Sequence, residues 1–383
     1  MKAALVQLDA NGDCLYATTI ARQIKQDHPG CHLTWWISSR CSSLLLANPY
    51  VDEVVTVDLP DWTNFSRDLI WALASREIMR RQAGSQAYDR IWFPQVYPDN
   101  FRYFDGTVRP SMFRGYDRPI SVPIDPVICL TSEERERVEA FALEHRLLER
   151  GRVVLFECSS NSMQSHVTPD FAKKVARLSA ARNMDLFFLL STMQPLGRDL
   201  PPNAVSASAL TMRENLALLD YCSDFIGCGS GLTVVATCEQ AKKVPNLQIL
   251  DSRRSVLGSF FHDFHYWGKP TSHFIEMRDA TPRVTVECLR RSAGSDLKEA
   301  IAEFHRPVPV TFSFLNSIGK SLMDRGMYLD AAESLAHAFR RYPDRTELRN
   351  HAHRSVLQQC QLDKSFRLPG GSRQWDFVQE CLS

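Results

Sequence analysis

The stretch KAALVQLDANGDCLYATTIARQI, residues 2–24, decides the fold. Lys2 to Leu8 reads as a buried strand, because a short apolar run ends there at a turn. Asp9, Ala10, Asn11, Gly12 and Asp13 make the turn. A helix is expected from Cys14, with Ala17, Ile20, Ala21 and Ile24 on one face. A strand, a turn holding Gly and a helix N-terminus together make a place that receives a polar or negatively charged ligand. Asp13 stands where turn meets helix and is the leading catalytic candidate. Its other reading is the N-cap of that helix.

The alternation continues. His32 to Ile37, Asp52 to Val57 and Tyr88 to Phe93 read as strands, and Arg40 to Ala47 as a short helix. Phe65 to Gln82 reads as a longer helix with Leu69, Ile70, Leu73, Ile78 and Met79 as its apolar stripe. Strands separated by helices imply a parallel sheet covered by helices. Regularity then stops between Pro94 and Pro126, where Arg102, Arg109, Arg114 and Arg118 lie among Tyr and Phe residues. This is either a long packed excursion or an acceptor-binding loop, since aromatic faces and guanidinium forks suit sugars and phosphates.

The second half repeats the pattern. Thr131 and Glu134 have capping-box spacing ahead of a helix that runs to about Glu149. Arg152 to Glu157 is a strand leading into the polar loop Cys158, Ser159, Ser160, Asn161 and Ser162. Thr168 and Pro169 open the next helix. Asp185 to Leu190, Ser223 to Ile226 and Leu247 to Leu250 read as strands, and Met212 to Tyr221 as helix. Between the last two strands lies GCGSGLT, residues 227–233, with a helix expected through Gln240. Its glycines let backbone approach a ligand, and a helix start favours phosphate. It is neither a P-loop nor a dinucleotide fingerprint, and a purely structural turn is the alternative. Two tandem Rossmann-like parallel-sheet domains, facing each other across a cleft, are therefore expected.

Size and composition agree. A chain of 383 residues exceeds one ordinary core. A formal net charge of +1 gives no global case for nucleic acid as a partner. No apolar run approaches the roughly 20 residues of a membrane span, and Asp9 and Asp13 interrupt the N-terminal stretch, so neither a transmembrane segment nor a signal peptide is expected. The eleven Cys are scattered without a C-x-x-C pair, which fits reduced, buried thiols in a cytoplasmic protein and no metal site.

Several stretches together resemble glycosyltransferase family nine, the bacterial heptosyltransferases. GDCLYATT (residues 12–19) looks like that family's G-D-x-L-x-T-x-P stretch. ANPYVDEV (residues 47–54) and ENLALLDYCSDFIGCGSGLT (residues 214–233) are further echoes. The resemblance covers about residues 1–260. It implies a GT-B fold and an inverting, metal-independent transfer of a sugar from a nucleotide-sugar, ADP-heptose being the family's usual donor. No cofactor is implied beyond that donor. The family's catalytic Asp corresponds to Asp13, a general base for the acceptor hydroxyl. Ser159, Ser160, His166, Gly229, Ser230, Gly231 and Thr233 are the donor-binding candidates. Gly12, Arg102, Arg109 and Arg114 are the acceptor-binding ones. The acceptor would be a glycan, a lipid-linked molecule or a protein. The family carries Asp or Asn before S/T-G in the donor turn and His soon after; here those places hold Gly229 and Val234. A catalytically weak or inactive relative, acting as a scaffold through its tail, is thus the alternative. An epimerase or dehydrogenase would need a dinucleotide fingerprint, and none is seen.

The expected domains are 1–126 for acceptor, 127–306 for donor and 307–383 for a helical tail. In that tail Leu315, Gly319, Leu322, Gly326, Ala331, Leu335, Ala338 and Pro343 have the spacing of one tetratricopeptide-like repeat. A single repeat cannot bury both faces alone. It must dock on the body, on another copy or on a following helix near residues 346–360. A partner-binding surface and a helical brace stay open. His262, His265 and His273 lie among Phe and Trp residues with Asp263. They read as packing or an interdomain crossover, with a metal or acceptor role as the alternative.

Overall fold

The computed structural model describes residues 1–59, 67–85, 87–96, 100, 107–160, 162–197, 199–253, 259–293, 297–367 and 378–380. The chain forms two compact units. The first comprises Met1–Asp125, His262–Lys269 and Pro309–Ser383, and the second Pro126–Phe261 and Pro270–Val308.

The first unit opens with β1 (Lys2–Val6), α1 (Asn11–Asp27), β2 (His32–Ser38), β3 (Glu53–Val57), α2 (Arg67–Ser85), β4 (Arg90–Trp92) and α3 (Val108–Phe113). Its strands are parallel in the order β3-β2-β1-β4. The central strand β1 is apolar on both faces, and Ala3, Ala4, Leu5 and Val6 are all buried. Helix α1 begins at Asn11 rather than at Cys14, with Ala10 as N-cap, so Asp13 lies inside the first turn and is not the cap. The stripe expected on α2 is corrected. Ile70, Trp71 and Ile78 are buried, whereas Leu69, Leu73 and Met79 are exposed. Residues 70, 74 and 78 form one line of the helix, and Ala74 and Ile78 pack with Val6 and Leu8. Residues 69 and 73 fall on the neighbouring line.

The second unit contains α4 (Ser132–Glu144), β5 (Arg152–Glu157), α5 (Pro169–Ala181), β6 (Leu186–Ser191), β7 (Ala204–Ser206), α6 (Glu214–Leu218), β8 (Asp224–Gly227), α7 (Gly231–Val235) and β9 (Asn246–Leu250). Helix α8 (Phe260–Tyr266) carries the chain into the first unit at His262. The chain then returns as β10 (Phe274–Arg278), α9 (Pro282–Arg291) and α10 (Lys298–Phe304). All six strands are parallel, in the order β10-β9-β8-β5-β6-β7. The capping box forms as its spacing predicts: Glu134 N–H donates to Thr131 Oγ1 at 3.3 Å, and Thr131 N–H to Glu134 Oε2 at 2.9 Å. Thr168 caps α5 through the Phe171 amide. Helix α7 is shorter than expected and ends at Val235, where the Thr237 hydroxyl donates to the Val234 carbonyl at 2.7 Å.

The tail is α11 (Phe312–Asp324), α12 (Tyr328–Arg341) and α13 (Thr346–Leu362). A Cβ on Gly319 would lie 2.4 Å from Leu335 Cδ2, so the first two helices meet at a residue without a side chain. Gly326 makes their turn with φ +75°. Val310, Leu315, Leu335, Ala338, Leu348 and Ala352 form a core that α13 completes. Helix α12 also packs on residues 262–269 of its own unit. His337 stacks on Tyr266 with ring centres 4.2 Å apart, and Arg340 Nη1 donates to the carbonyls of His265 and Tyr266 at 3.2 Å each. Among the described residues no helix is long and apolar enough to cross a membrane.

Candidate active site

In an open parallel sheet, ligands bind beyond the C-terminal ends of the strands where strand order reverses. In the first sheet the chain runs from β1 to β2 and β3, then crosses back for β4 on the other side of β1. The reversal lies between β1 and β4. The loops after those strands meet there, with Leu8 N–H donating to Gln95 Oε1 at 3.1 Å. Gln7 Nε2 donates to the Asp9 carbonyl at 2.7 Å. Asp9 is buried; its Oδ1 accepts from Cys41 Sγ at 2.9 Å, and its Oδ2 lies 3.6 Å from Arg40 Nη2. Gly12 and Asp13 are half-buried in the first turn of α1, beside this loop. A carboxylate there meets the positive end of the helix dipole. Burial pushes the thiol of the neighbouring Cys14 well above its ordinary range.

One turn along α1, Tyr16 lies under the Arg109 guanidinium at 4.6 Å from ring centre. Arg109 is fully buried. Its Nε is 3.0 Å from Asp263 Oδ2, and its Nη1 donates to the Ile124 carbonyl at 2.8 Å. Arg114 is also buried. It donates to the Tyr266 hydroxyl at 3.3 Å and lies 3.8 Å from Asp330 Oδ1. These two arginines therefore turn into the first unit and ion-pair there, rather than standing open beside Asp13. A cavity of about 320 Å³ lies between Arg114, Tyr116 and Arg118 on one side and Tyr328, Asp330 and Glu333 on the other. Arg102 lies outside the described residues.

In the second sheet the chain runs from β5 to β6 and β7, then crosses back for β8, β9 and β10. The reversal lies between β5 and β8, and the residues after these two strands are Ser159 and Ser160 on one and Gly229, Ser230 and Gly231 on the other. They meet through Ser162, whose Oγ lies 2.5 Å from Ser160 Oγ and donates to the Gly229 carbonyl at 3.2 Å. Ser159 Oγ is 2.9 Å from Thr192 Oγ1 after β6. Gly229 adopts φ +68°, a conformation side-chain-bearing residues rarely take. His166 turns elsewhere: its Nε2 lies 2.9 Å from the Ala280 carbonyl, after β10.

The residue that organises this turn is Glu157, the buried last residue of β5. Its carboxylate accepts the amides of Cys228 at 2.8 Å, Leu232 at 2.9 Å and Thr233 at 3.3 Å, and the Thr233 hydroxyl at 2.7 Å. Thr233 is fully buried against it. Burial raises the Glu157 carboxyl above its usual range, against these hydrogen bonds. The amides of Ser230 and Gly231 have no acceptor among the described residues. The sequence signal for Glu157 was a carboxylate ending an otherwise apolar strand, which must find donors once buried. Among the described residues no three His, Cys, Asp or Glu side chains are grouped to hold a metal ion.

No family model matches the chain, and no curated protein does. Solved structures do. The glycosyl transferase family 9 structure from Veillonella parvula aligns with a TM-score of 0.49 and 14% identity, over 79% of this chain and 95% of that one. The ADP-heptose lps heptosyltransferase II of E. coli aligns with a TM-score of 0.50 and 13% identity, over 76% of this chain and 98% of that one. At such identity the likeness is one of fold: the chain has a GT-B-like architecture, two Rossmann-like parallel-sheet domains with a C-terminal helical extension.

Proposed function

We propose that this protein is an inverting, metal-independent glycosyltransferase that moves a sugar, heptose-like by resemblance, from a nucleotide-sugar to a hydroxyl acceptor. One observation carries the reading: each sheet has candidate residues at its own reversal point, Asp13 in one and the Ser159, Ser160, Gly229–Gly231 group in the other. Asp13 takes the proton of the acceptor hydroxyl as its oxygen attacks the anomeric carbon. The bond from that carbon to the diphosphate oxygen breaks, and its electron pair leaves with the nucleoside diphosphate. Amides of Ser230 and Gly231 and the serine hydroxyls meet the departing charge. The acceptor is a glycan, a lipid-linked molecule or a protein.

The test is release of free nucleotide from a panel of ADP-, GDP- and UDP-sugars, with mass spectrometry of an acceptor pool. Release and a mass gain with at least one donor support the reading. Silence across the panel, with no thermal stabilisation by any nucleotide, overturns it. A ligand at a hundredfold excess over its Kd adds about 2.7 kcal/mol.

Glu157 favours a second reading, a catalytically weak relative acting as a scaffold. An internal carboxylate already takes three amides of the glycine-rich turn. Stabilisation by nucleotides without any turnover is the outcome that distinguishes it. A tetratricopeptide-like role for the tail belongs to this reading, with the outer surfaces of α11 and α13 meeting a protein partner.

A further inference from the structure

Glu276 sits in β10 and is fully buried. Its Oε1 and Oε2 accept the Ser259 hydroxyl at 3.0 and 2.9 Å. Oε1 also accepts the Phe261 amide at 2.9 Å, and Oε2 the Val308 amide at 3.4 Å. The backbone of the same residue holds the second segment again. Its carbonyl accepts the Arg306 amide at 2.6 Å, and its own N–H donates to His305 Nδ1 at 3.0 Å. The chain leaves the second unit at two places, after Phe261 and after Val308. One buried carboxylate thus holds both departing segments.

We propose that Glu276 is a protonation-controlled latch on these two segments, its charge state setting how readily residues 259–261 and 305–308 open to water. The reasoning starts from the cost of a buried charge. Three hydrogen-bond donors, the Ser259 hydroxyl and the Phe261 and Val308 amides, favour the ionised form, but loss of hydration outweighs them and raises the carboxyl from 4.5 to about 7. Among the described residues the other charged groups nearby do not neutralise it. Arg278 on the same strand favours the ionised form only weakly. His305 is held near about 4 by burial and is neutral over the relevant range. Gln248, opposite on β9, is uncharged. On α10, Glu299 and Glu303 pair with Arg291, and Lys298 is exposed. On α8, Asp263 and His262 bond Arg109 and Arg341 within the first unit.

The sign follows from linkage. The closed segments bind the proton more tightly than the open ones, so closure is most favoured below about pH 4.5. It weakens as pH rises to about 7, and levels off above that. Hydrogen exchange of the Phe261 and Val308 amides in the full chain, divided by the intrinsic exchange rate, reads this opening between pH 5 and 8. In the wild type the opening rises by up to about tenfold per pH unit and reaches a plateau above pH 7. In Glu276→Gln it is flat. In Ser259→Ala, which removes a donor to the carboxylate, the plateau moves to higher pH. A flat wild-type profile overturns the proposal, as does an unchanged slope in Glu276→Gln or an unmoved plateau in Ser259→Ala.

Discussion

The carboxylate of Glu157 accepts the Thr233 hydroxyl at 2.7 Å and so ties the end of β5 to the helix that follows β8. The two strands are hydrogen-bonded neighbours, with Phe156 opposite Ile226. The turn between β8 and α7 is held from below, and Ser230 and Gly231 in it are half-buried. Replacing Glu157 by Leu strands three buried amides and a hydroxyl. It should destabilise the fold by about 3 kcal/mol or more, while Thr233→Val, losing one hydrogen bond, should cost about 1 kcal/mol. Urea denaturation of the two variants checks the ranking.

Asp13→Asn should keep the fold and nucleotide affinity, because the amide has the shape of the half-buried carboxylate it replaces. Sugar transfer should fall by about 10²- to 10⁴-fold. Turnover by the variant at the wild-type rate would remove Asp13 as the base.

The Arg109–Asp263 pair joins α3 to α8 with both side chains almost wholly buried. Removing one partner leaves a charge buried alone. Arg109→Met or Asp263→Leu should each cost about 3–5 kcal/mol, and the double variant less than the sum. A double-mutant cycle by denaturant unfolding measures the coupling.

Gly319→Val should destabilise the tail by about 1–3 kcal/mol, since the new side chain must displace Leu335 from a filled contact. Helical circular dichroism during thermal unfolding reads the effect. A neutral result would mean that α11 and α12 meet less closely than the geometry shows.

His337 carries a pH dependence. Burial, with the charges of Arg340 and Arg114 beside it, lowers its pKa well below 6.5. The folded protein holds this ring neutral, and unfolding lets it take a proton. Its contribution is therefore present above about pH 6.5 and lost as pH falls below that value. Comparing wild type with His337→Phe at pH 5 and pH 7 isolates it: the variant should lose less stability on acidification. Equal losses would place the acid sensitivity elsewhere.

Features that depend on near neighbours were legible in the sequence. The apolar runs of β1 and β5 stand where periodicity puts them, and Thr131 and Thr168 cap the helices their spacing announced. Strand β7 has three residues, too few for any period to show. Strand β10 was hidden because Glu276 interrupts its apolar run. Helix α9 was missed although Thr281 and Pro282 repeat the Thr168–Pro169 start, with Thr281 capping Val284 N–H at 3.3 Å. The candidate site was half legible. Asp13 and the glycine turn are local motifs, whereas for Arg109 and Arg114 the sequence leaves a packed excursion and an acceptor-binding loop both open, because their carboxylate partners Asp263 and Asp330 lie far along the chain.

The sequence by itself determined that this protein is built from helix-covered parallel strands with polar turns after β1, β5 and β8. Short-range periodicity, caps and glycine turns suffice for that. Only the tertiary structure decided strand order, and with it which turns flank each reversal. Only the tertiary structure assigned Glu157 to the glycine turn, Asp263 to Arg109 and Glu276 to the two departing segments. A buried charge must be satisfied by whatever donors the folded chain brings within about 3 Å, and no local rule names a partner across that distance in sequence.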